Sequence, residues 1–450
     1  MKVPRTIFRE YDIRGIVGDE IDSQFSYALG RGFGSYLAAR GKKTVVAAGD
    51  NRKSTPEFKK NLVDGLLSSG CDVCDIGITP TPILYFARAT EGFDAGVMVT
   101  ASHNPPQFNG FKLVVNDTSL HGPQITEIAD IIEGERFING RGNFAERNFD
   151  EAYLAFMRKK FSFSRKWRIG VDTGNGTTGP IVKELFTIPG IEFHGLYLES
   201  DSSFPHHMPD PVVPENMKDL TALVKRENLD AGFGFDGDGD RIGVIAEDGA
   251  ILWGDRLLII YAAALLKEKQ GATVVFDVKC TRALEEEIRK HGGNPIMWKT
   301  GHSLIEDKLR ESGGLIAGEL SGHIYFADEY FGYDDALYAA LRLLKIMDST
   351  GLKPGQLLAG VRQYPSSPEI RIDVGEEAKY RIVDQIKKFY KGKYPVLEID
   401  GVRVSFPAGW ALVRVSNTQP AIVVRIEGDT QTDLEMIREE FLRKIQEVSE

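Results

Sequence analysis

Short apolar runs alternate with amphipathic stretches through most of this chain, which is the pattern of strands feeding helices. Three segments repeat one order of apolar strand, Asp-containing turn and amphipathic helix. Residues 44–48 lead through Gly49-Asp50-Asn51-Arg52-Lys53 to a predicted helix near 56–68. Residues 169–171 lead through Asp172-Thr173-Gly174-Asn175-Gly176 to one near 180–186, and residues 273–276 lead through Asp277-Val278-Lys279 to one near 282–291. The recurrence at a domain-sized interval marks an internal repeat. Each segment is followed by a second apolar run that ends in a polar loop: Thr100-Ala101-Ser102-His103-Asn104-Pro105, Asp236-Gly237-Asp238-Gly239-Asp240-Arg241 and Gly318-Glu319-Leu320-Ser321-Gly322-His323. Three related α/β domains, each contributing one loop, is the economical reading.

The C-terminal part reads differently, with a strand near 369–374, a helix near 378–390, several short strands and a helix near 432–448. Asp400-Gly401 between the apolar runs 396–399 and 402–406 signals a hairpin, and Arg414-Val415-Ser416-Asn417-Thr418-Gln419-Pro420 is a polar loop between two strands. This predicts a smaller α+β domain. The changes of pattern put boundaries near 147, 250 and 362, hence domains over 1–147, 148–250, 251–362 and 363–450. No low-complexity linker separates them, so close packing around a shared cleft is expected.

Hydrophobic residues make up 42% and charged residues 27%, which excludes a disordered or fibrous chain. A net charge of -10 lacks the basic footprint of a nucleic-acid or membrane-surface binder. Any anionic ligand must then be held by a local cluster of Lys and Arg, which suits small anions. The apolar run 257–266 is shorter than the ~20 residues of a bilayer span, and Met1-Lys2-Val3-Pro4-Arg5-Thr6 opens no apolar signal core. A cytoplasmic protein is expected. Three cysteines are too few for a disulfide framework; Cys71 and Cys74 have C-x-x-C spacing, but 72–76 alternates like a strand that buries Cys74. His206-His207 lies in the Pro-rich stretch 204–214 without further zinc ligands nearby, so it reads as a connection. Phe331, Tyr333 and Trp410 either line the cleft or pack.

Ser102 stands on a tight turn directly after an apolar run, where a hydroxyl can act as a nucleophile, although Ser, His and Asn before Pro105 also suit a plain turn. The Asp236 loop spaces three carboxylates two apart with glycines between, so all three oxygens can fold around one hard cation. The letters G-x-G-x-x-G at 232–237 precede a strand and not a helix, against a dinucleotide site. A calcium hand would need glycine where Arg241 stands. An acidic turn without metal is opposed by the mutual repulsion of three carboxylates. The serine-hydrolase elbow is absent around Ser102. A serine that accepts a phosphoryl group beside magnesium remains, with Arg414 able to give a phosphate a bidentate fork.

The four loops beginning at Thr100, Asp236, Gly318 and Arg414 stand in the order and spacing of the α-D-phosphohexomutases, and the chain closely resembles the bacterial phosphomannomutase/phosphoglucomutase branch over essentially its whole length. The resemblance implies four domains around a central cleft, three α/β and the last TATA-binding-protein-like. It implies that Ser102 is phosphorylated in the active enzyme, and that Asp236, Asp238 and Asp240 bind magnesium with a phosphoserine oxygen of Ser102 completing the site. Glu319 and Ser321 match sugar-hydroxyl binders, and Arg414, Ser416, Asn417 and Thr418 match the loop that grips the non-reacting phosphate. Tyr11, Arg14, Lys112, Arg241, Lys279, His302 and His323 fall where the family places other active-site groups, with Lys112, His302 and His323 as candidates for general acid and base. The implied reaction is reversible transfer between the 6- and 1-positions of mannose or glucose phosphate through hexose 1,6-bisphosphate, which also serves as activator. Small hexose phosphates are then the partners, and oligomeric state is not read from the sequence. A phosphoglucosamine mutase stays open, although its members tend to carry glutamine where Leu320 stands. So does a metal-dependent sugar phosphatase using the same serine; a non-catalytic binder is disfavoured because Ser102 and all three aspartates are present.

Overall fold

The computed structural model describes residues 3–416 and 420–449. Four sheets follow one another along the chain. In the first, Thr44–Gly49 runs parallel between Asp72–Ile78 and Ala95–Val99, and Phe108–Val115 returns antiparallel against Ala95–Val99. The second repeats this with Trp167–Asp172 between Ile191–Leu196 and Ala231–Phe235, followed by Ile242–Ala246. The third does so with Thr273–Asp277 between Asn294–Trp298 and Ile316–Gly318, followed by Ile324–Phe326. In each sheet the turn from the last parallel strand into its antiparallel neighbour carries one of the polar loops. Ser102, Asp236 to Arg241, and Glu319 to Ser321 therefore occupy equivalent places, at the carboxyl end of a parallel strand where α/β sheets bind ligands.

Local chemistry sets the helix starts. Asp22 accepts from the Phe25 amide, Thr281 from Ala283 and Asp335 from Tyr338, each satisfying a first-turn N–H. Ala95–Val99 and Ala231–Phe235 are buried throughout, as strands covered on both faces must be. One apolar cluster joins a face of the first sheet at Val46 and Met98 to Ile169 and Phe233 of the second and Val274 and Phe276 of the third. Each such side chain contributes about 1.5 to 3 kcal/mol on burial, so the three α/β units are held by a shared core.

The fourth sheet is antiparallel throughout, in the order Ile370–Asp373, Ala421–Gly428, Gly409–Val415, Val402–Phe406 and Val396–Leu397, with helices Ala378–Tyr390 and Gln431–Ser449 packed on it. It keeps its own cluster around Ile386, Val404 and Phe441. Its links to the third unit combine a buried apolar cluster of Val278, Trp410 and Leu412 with polar contacts: Arg403 donates to the Val278 carbonyl at 2.7 Å, and the Arg282 amide donates to Glu427 at 3.0 Å.

Cys71 and Cys74 are buried free thiols. His206 and His207 lie 2.8 Å from Asn175 Oδ1 and 3.1 Å from Asp172 Oδ2, tying their segment to the second unit's turn. Trp410 packs under Arg403 and donates to Glu427, Tyr333 is buried, and Phe331 is exposed. No helix among the described residues is long and apolar enough to cross a membrane.

Candidate active site

Ser102 and the acidic loop meet across the first two units. The Ser102 hydroxyl donates to Asp236 Oδ2 at 2.6 Å, and its oxygen lies 3.1 Å from His103 Nδ1. Burial and nearby Arg241 hold the His103 imidazole well below its usual pKa. Asp236, Asp238 and Asp240 are all fully buried, and one oxygen of each lies within 4.8 Å of the others. The loop wraps its first carboxylate: the amides of Gly239, Asp240 and Arg241 donate to Asp236 Oδ1 at 3.0, 3.1 and 3.1 Å. Gly239 supplies the left-handed φ of 78° this wrap requires. At Gly237 a Cβ would stand 2.5 Å from the Ser102 carbonyl oxygen, so only glycine lets the two loops approach.

Lys112, on the returning strand Phe108–Val115, donates to Asp238 Oδ2 at 2.7 Å and also to Asp240. Burial opposes its charge, but Asp238 and Asp240 outweigh burial and raise its pKa well above the usual range. Burial and Asp240 push the Asp236 carboxyl up, whereas Lys112, against the cost of burial, draws Asp238 down. Asp238 Oδ1 and Asp240 Oδ1 are buried and have no hydrogen-bond partner among the described residues. Two orphaned anionic oxygens beside Asp236 and the Ser102 hydroxyl form an all-oxygen set that fits a hard divalent ion. Arg241 donates to Asp236 at 3.0 Å and Asp210 at 3.2 Å, leaving one buried terminal nitrogen unpartnered.

The two histidines face this centre from the third unit, where Arg241 and His323 form a β-bridge. His323 Nδ1 lies 2.7 Å from Asp334 Oδ2 and 3.8 Å from Asp240 Oδ1. Burial works against its charge, but Asp240 and the Asp334 hydrogen bond lift its pKa to about 9. His302 stacks on it at 5.7 Å between ring centroids. Burial, then the Lys112 charge, keeps His302 well below its usual pKa, and its Nε2 has no partner. Tyr11 meets His302 edge-on at 5.3 Å, and Arg14 donates to Asn104 and Asp12, both at 2.6 Å.

Glu319 is buried, accepts from the Gly301 amide at 2.7 Å, and has its pKa raised by burial; Ser321 is half-buried next to it. Arg414 donates to Asp400 Oδ2 at 2.8 Å and has one buried terminal nitrogen without a hydrogen-bond partner among the described residues. Lys279 Nζ lies 3.5 Å from Glu369 and 3.8 Å from Asp277, while the Ser416 carbonyl accepts from Lys379 at 3.1 Å. Asn417 and Thr418 lie outside the described residues.

Several residues that shape this centre carry no motif. Thr81 donates to Asp238 at 2.7 Å, Asp334 holds His323, Asp210 holds Arg241, and Asp50 and Arg52 hold the serine loop. The Asp-containing turn 49–53 stood out by its repetition, whereas Asp334 was not singled out; its available signal is an acidic pair, Asp334-Asp335, directly before an apolar helix. Thr81 and Asp210 gave no signal.

Family models cover most of the chain: "Phosphoglucomutase/phosphomannomutase, alpha/beta/alpha domain I" at residues 5–139, domain II at 151–249, domain III at 253–364, and the family's C-terminal domain at 369–444. The chain is 43% identical to a phosphomannomutase/phosphoglucomutase of Pseudomonas aeruginosa over 447 residues, covering 99% of this chain and 96% of that one. It is 40% identical to a phosphoglucomutase of Neisseria gonorrhoeae, covering 98% and 96% respectively. Among solved structures, a phosphoglucomutase/phosphomannomutase family protein from Burkholderia thailandensis superposes with a TM-score of 0.93 at 40% identity, covering 99% of this chain and 98% of the other.

Proposed function

The chain belongs to the phosphoglucomutase/phosphomannomutase family, and from that premise we propose that it interconverts the 6- and 1-phosphates of mannose or glucose with Ser102 as the phosphoryl carrier. The observation that carries this reading is the 2.6 Å contact of the Ser102 hydroxyl with Asp236, beside two further buried carboxylates. Starting from phosphorylated Ser102, a sugar hydroxyl oxygen attacks phosphorus, the P–Oγ bond breaks, the hydroxyl proton passes to a base, and the leaving Oγ takes up a proton from an acid. The product is a hexose 1,6-bisphosphate. After this intermediate turns end for end, Ser102 Oγ gives its proton to a base and attacks the other phosphorus, the sugar O–P bond breaks, and the freed sugar oxygen takes up a proton.

The side chains match those demands. His302, neutral with an unpartnered Nε2, suits the base, and His323, with a pKa of about 9, suits the acid. Environments that push two titratable groups apart are how one site runs both proton transfers near neutral pH. Lys112 stays charged and neutralises the moving phosphoryl group together with Arg241. Magnesium held by Asp236, Asp238, Asp240 and an oxygen on Ser102 would supply further neutralisation of that group. Arg414, Ser416, Asn417 and Thr418 bind the phosphate that stays, Glu319 and Ser321 bind sugar hydroxyls, Lys279 stands among the other substrate-binding groups, and Tyr11 and Arg14 border the site from the first unit. The boundaries near 147, 250 and 362, a cytoplasmic setting and hexose 1,6-bisphosphate as activator belong to the same reading.

Ser102→Ala tests it. The wild-type protein is expected to carry one phosphate that maps to Ser102, and the variant none, with turnover reduced at least about a thousandfold. Near-normal turnover in the variant would overturn the mechanism. Release of free phosphate in step with substrate loss would instead identify a sugar phosphatase.

A further inference from the structure

Arg52 is 1% exposed, among the largest fully buried side chains, and has no part in the chemistry above. Its guanidinium is completely used. Nε donates to Asp50 Oδ2 at 3.1 Å, one terminal nitrogen to the carbonyls of Pro105 and Phe108 at 2.8 and 3.0 Å, and the other to those of Ser102 and Asn104 at 2.7 and 2.5 Å. A guanidinium has only five N–H groups, all in one plane. Four carbonyls of the serine loop are therefore gathered on one rigid fork. Asp50 fastens the start of the loop: its Oδ2 accepts from the Thr100 hydroxyl at 2.8 Å and the Ala101 amide at 3.3 Å, and Thr100 Oγ1 accepts from the Ser102 amide at 2.9 Å.

This is more restraint than closing a turn requires. Ser102 adopts φ of 49°, in the left-handed region, which is strained for a residue other than glycine and persists only where the surroundings over-determine it. Burying a guanidinium adds a desolvation cost that a solvated loop would avoid. Both costs converge on the Ser102 carbonyl, held by Arg52 on one side and met by Gly237 of the acidic loop on the other. Because carbonyls and Asp50 consume every N–H, Arg52 holds the loop without competing for a phosphate oxygen.

We propose that Arg52, oriented by Asp50, is a positioning residue that fixes the Ser102 backbone so that Oγ stays in line for phosphoryl transfer. The inference rests on Ser102 being the phosphoryl carrier. A misplacement of about 1 Å at such a centre can cost ~100-fold in rate.

Arg52→Lys keeps a cation on a similar stem but offers three N–H groups from one point, so it cannot hold four carbonyls and Asp50 together. The expected result is kcat about 100-fold lower, with KM for glucose 1-phosphate within about threefold of wild type. Single-turnover transfer from phosphorylated Ser102, expressed per phosphorylated molecule by intact mass, should slow equally. Thr100→Val removes the hydroxyl that links Asp50 to the Ser102 amide, leaving the Ala101 amide on Asp50, with almost no change of shape, and serves if the lysine variant folds poorly; about a tenfold fall in kcat is expected. A merely structural role would reduce the amount of folded protein and leave the rate per phosphorylated molecule unchanged, and that result overturns the proposal. If wild-type protein carries no phosphate on Ser102 and transfers none, the carrier reading is what fails.

Discussion

His323 Nδ1 sits 2.7 Å from Asp334 Oδ2, so the imidazole that faces the acidic loop is held as a cation by a carboxylate behind it. Against burial, Asp240 and the Asp334 bond raise its pKa to about 9. An acid of this kind is competent below that value and lost above it. Asp334→Asn keeps the shape and removes the charge, so the His323 pKa should fall by about a unit or more. The alkaline limb of kcat/KM should move down by the same amount. An unmoved limb would remove His323 from the acid role.

Metal removal separates chemistry from folding. Lys112 already offsets the charge of Asp238 and Asp240 within the protein. Chelation is therefore expected to abolish turnover while the far-ultraviolet circular dichroism stays unchanged, and magnesium should restore activity. Calcium, with longer bonds and a looser shell, should restore it poorly. Equal recovery in calcium would contradict a compact octahedral site.

Glucose and mannose phosphates should both be accepted. The bisphosphate binds in two orientations related by a half turn, which approximately exchanges the 3- and 4-hydroxyls and leaves the 2-position without an equivalent. As the proposed hydroxyl binders, Glu319 and Ser321 can serve both orientations only by holding the exchanging pair. Discrimination at carbon two should then stay within about 1 to 3 kcal/mol, or roughly 10 to 200-fold in kcat/KM. A preference beyond about ten-thousandfold would reveal a dedicated 2-position reader. Glu319→Ala should weaken both sugars alike.

Lys279, joined by Arg371, draws the Glu369 carboxyl from its ordinary 4.5 down to about 2 in spite of burial. A depressed carboxylate contributes stability that is complete above pH 4.5 and is lost as pH falls toward 2. Allowing for its partial exposure, the contribution is about 1 to 2 kcal/mol. Glu369→Gln should lower the thermal midpoint at pH 7, and its gap from wild type should narrow at about pH 3 as the wild-type carboxylate begins to protonate. A gap independent of pH would show that the pair contributes no charge-linked stability.

The three strand, turn and helix repeats were legible in the sequence because strand and helix periodicities, capping residues and glycine spacing act over a few neighbouring positions. Asp236, Asp238 and Asp240 stand close together for the same reason: their spacing is local. The hairpin at Asp400-Gly401 was equally local, and Gly401 takes the left-handed φ of 71° such a turn favours. Sequence alone also put Ser102 on a tight polar turn, and its burial, at only 4% exposed, came from the fold. Burial depends on what a distant segment brings, here the acidic loop 134 residues further along.

Tertiary structure alone decided which charges meet. Lys112 lies 126 residues from Asp238, Thr81 lies 157 from it, and nothing in their own surroundings announces the pairing. The opposite displacement of two neighbouring histidines, His302 down and His323 up, likewise follows from the partners each meets in the folded chain. Arg52 is the plainest case. In the sequence it is one basic residue in a turn, and only the folded chain supplies five acceptors for its five N–H groups. Local pattern determined the elements and where their polar loops would fall; desolvation and long-range contact, which no short window of sequence encodes, determined what those loops do to one another.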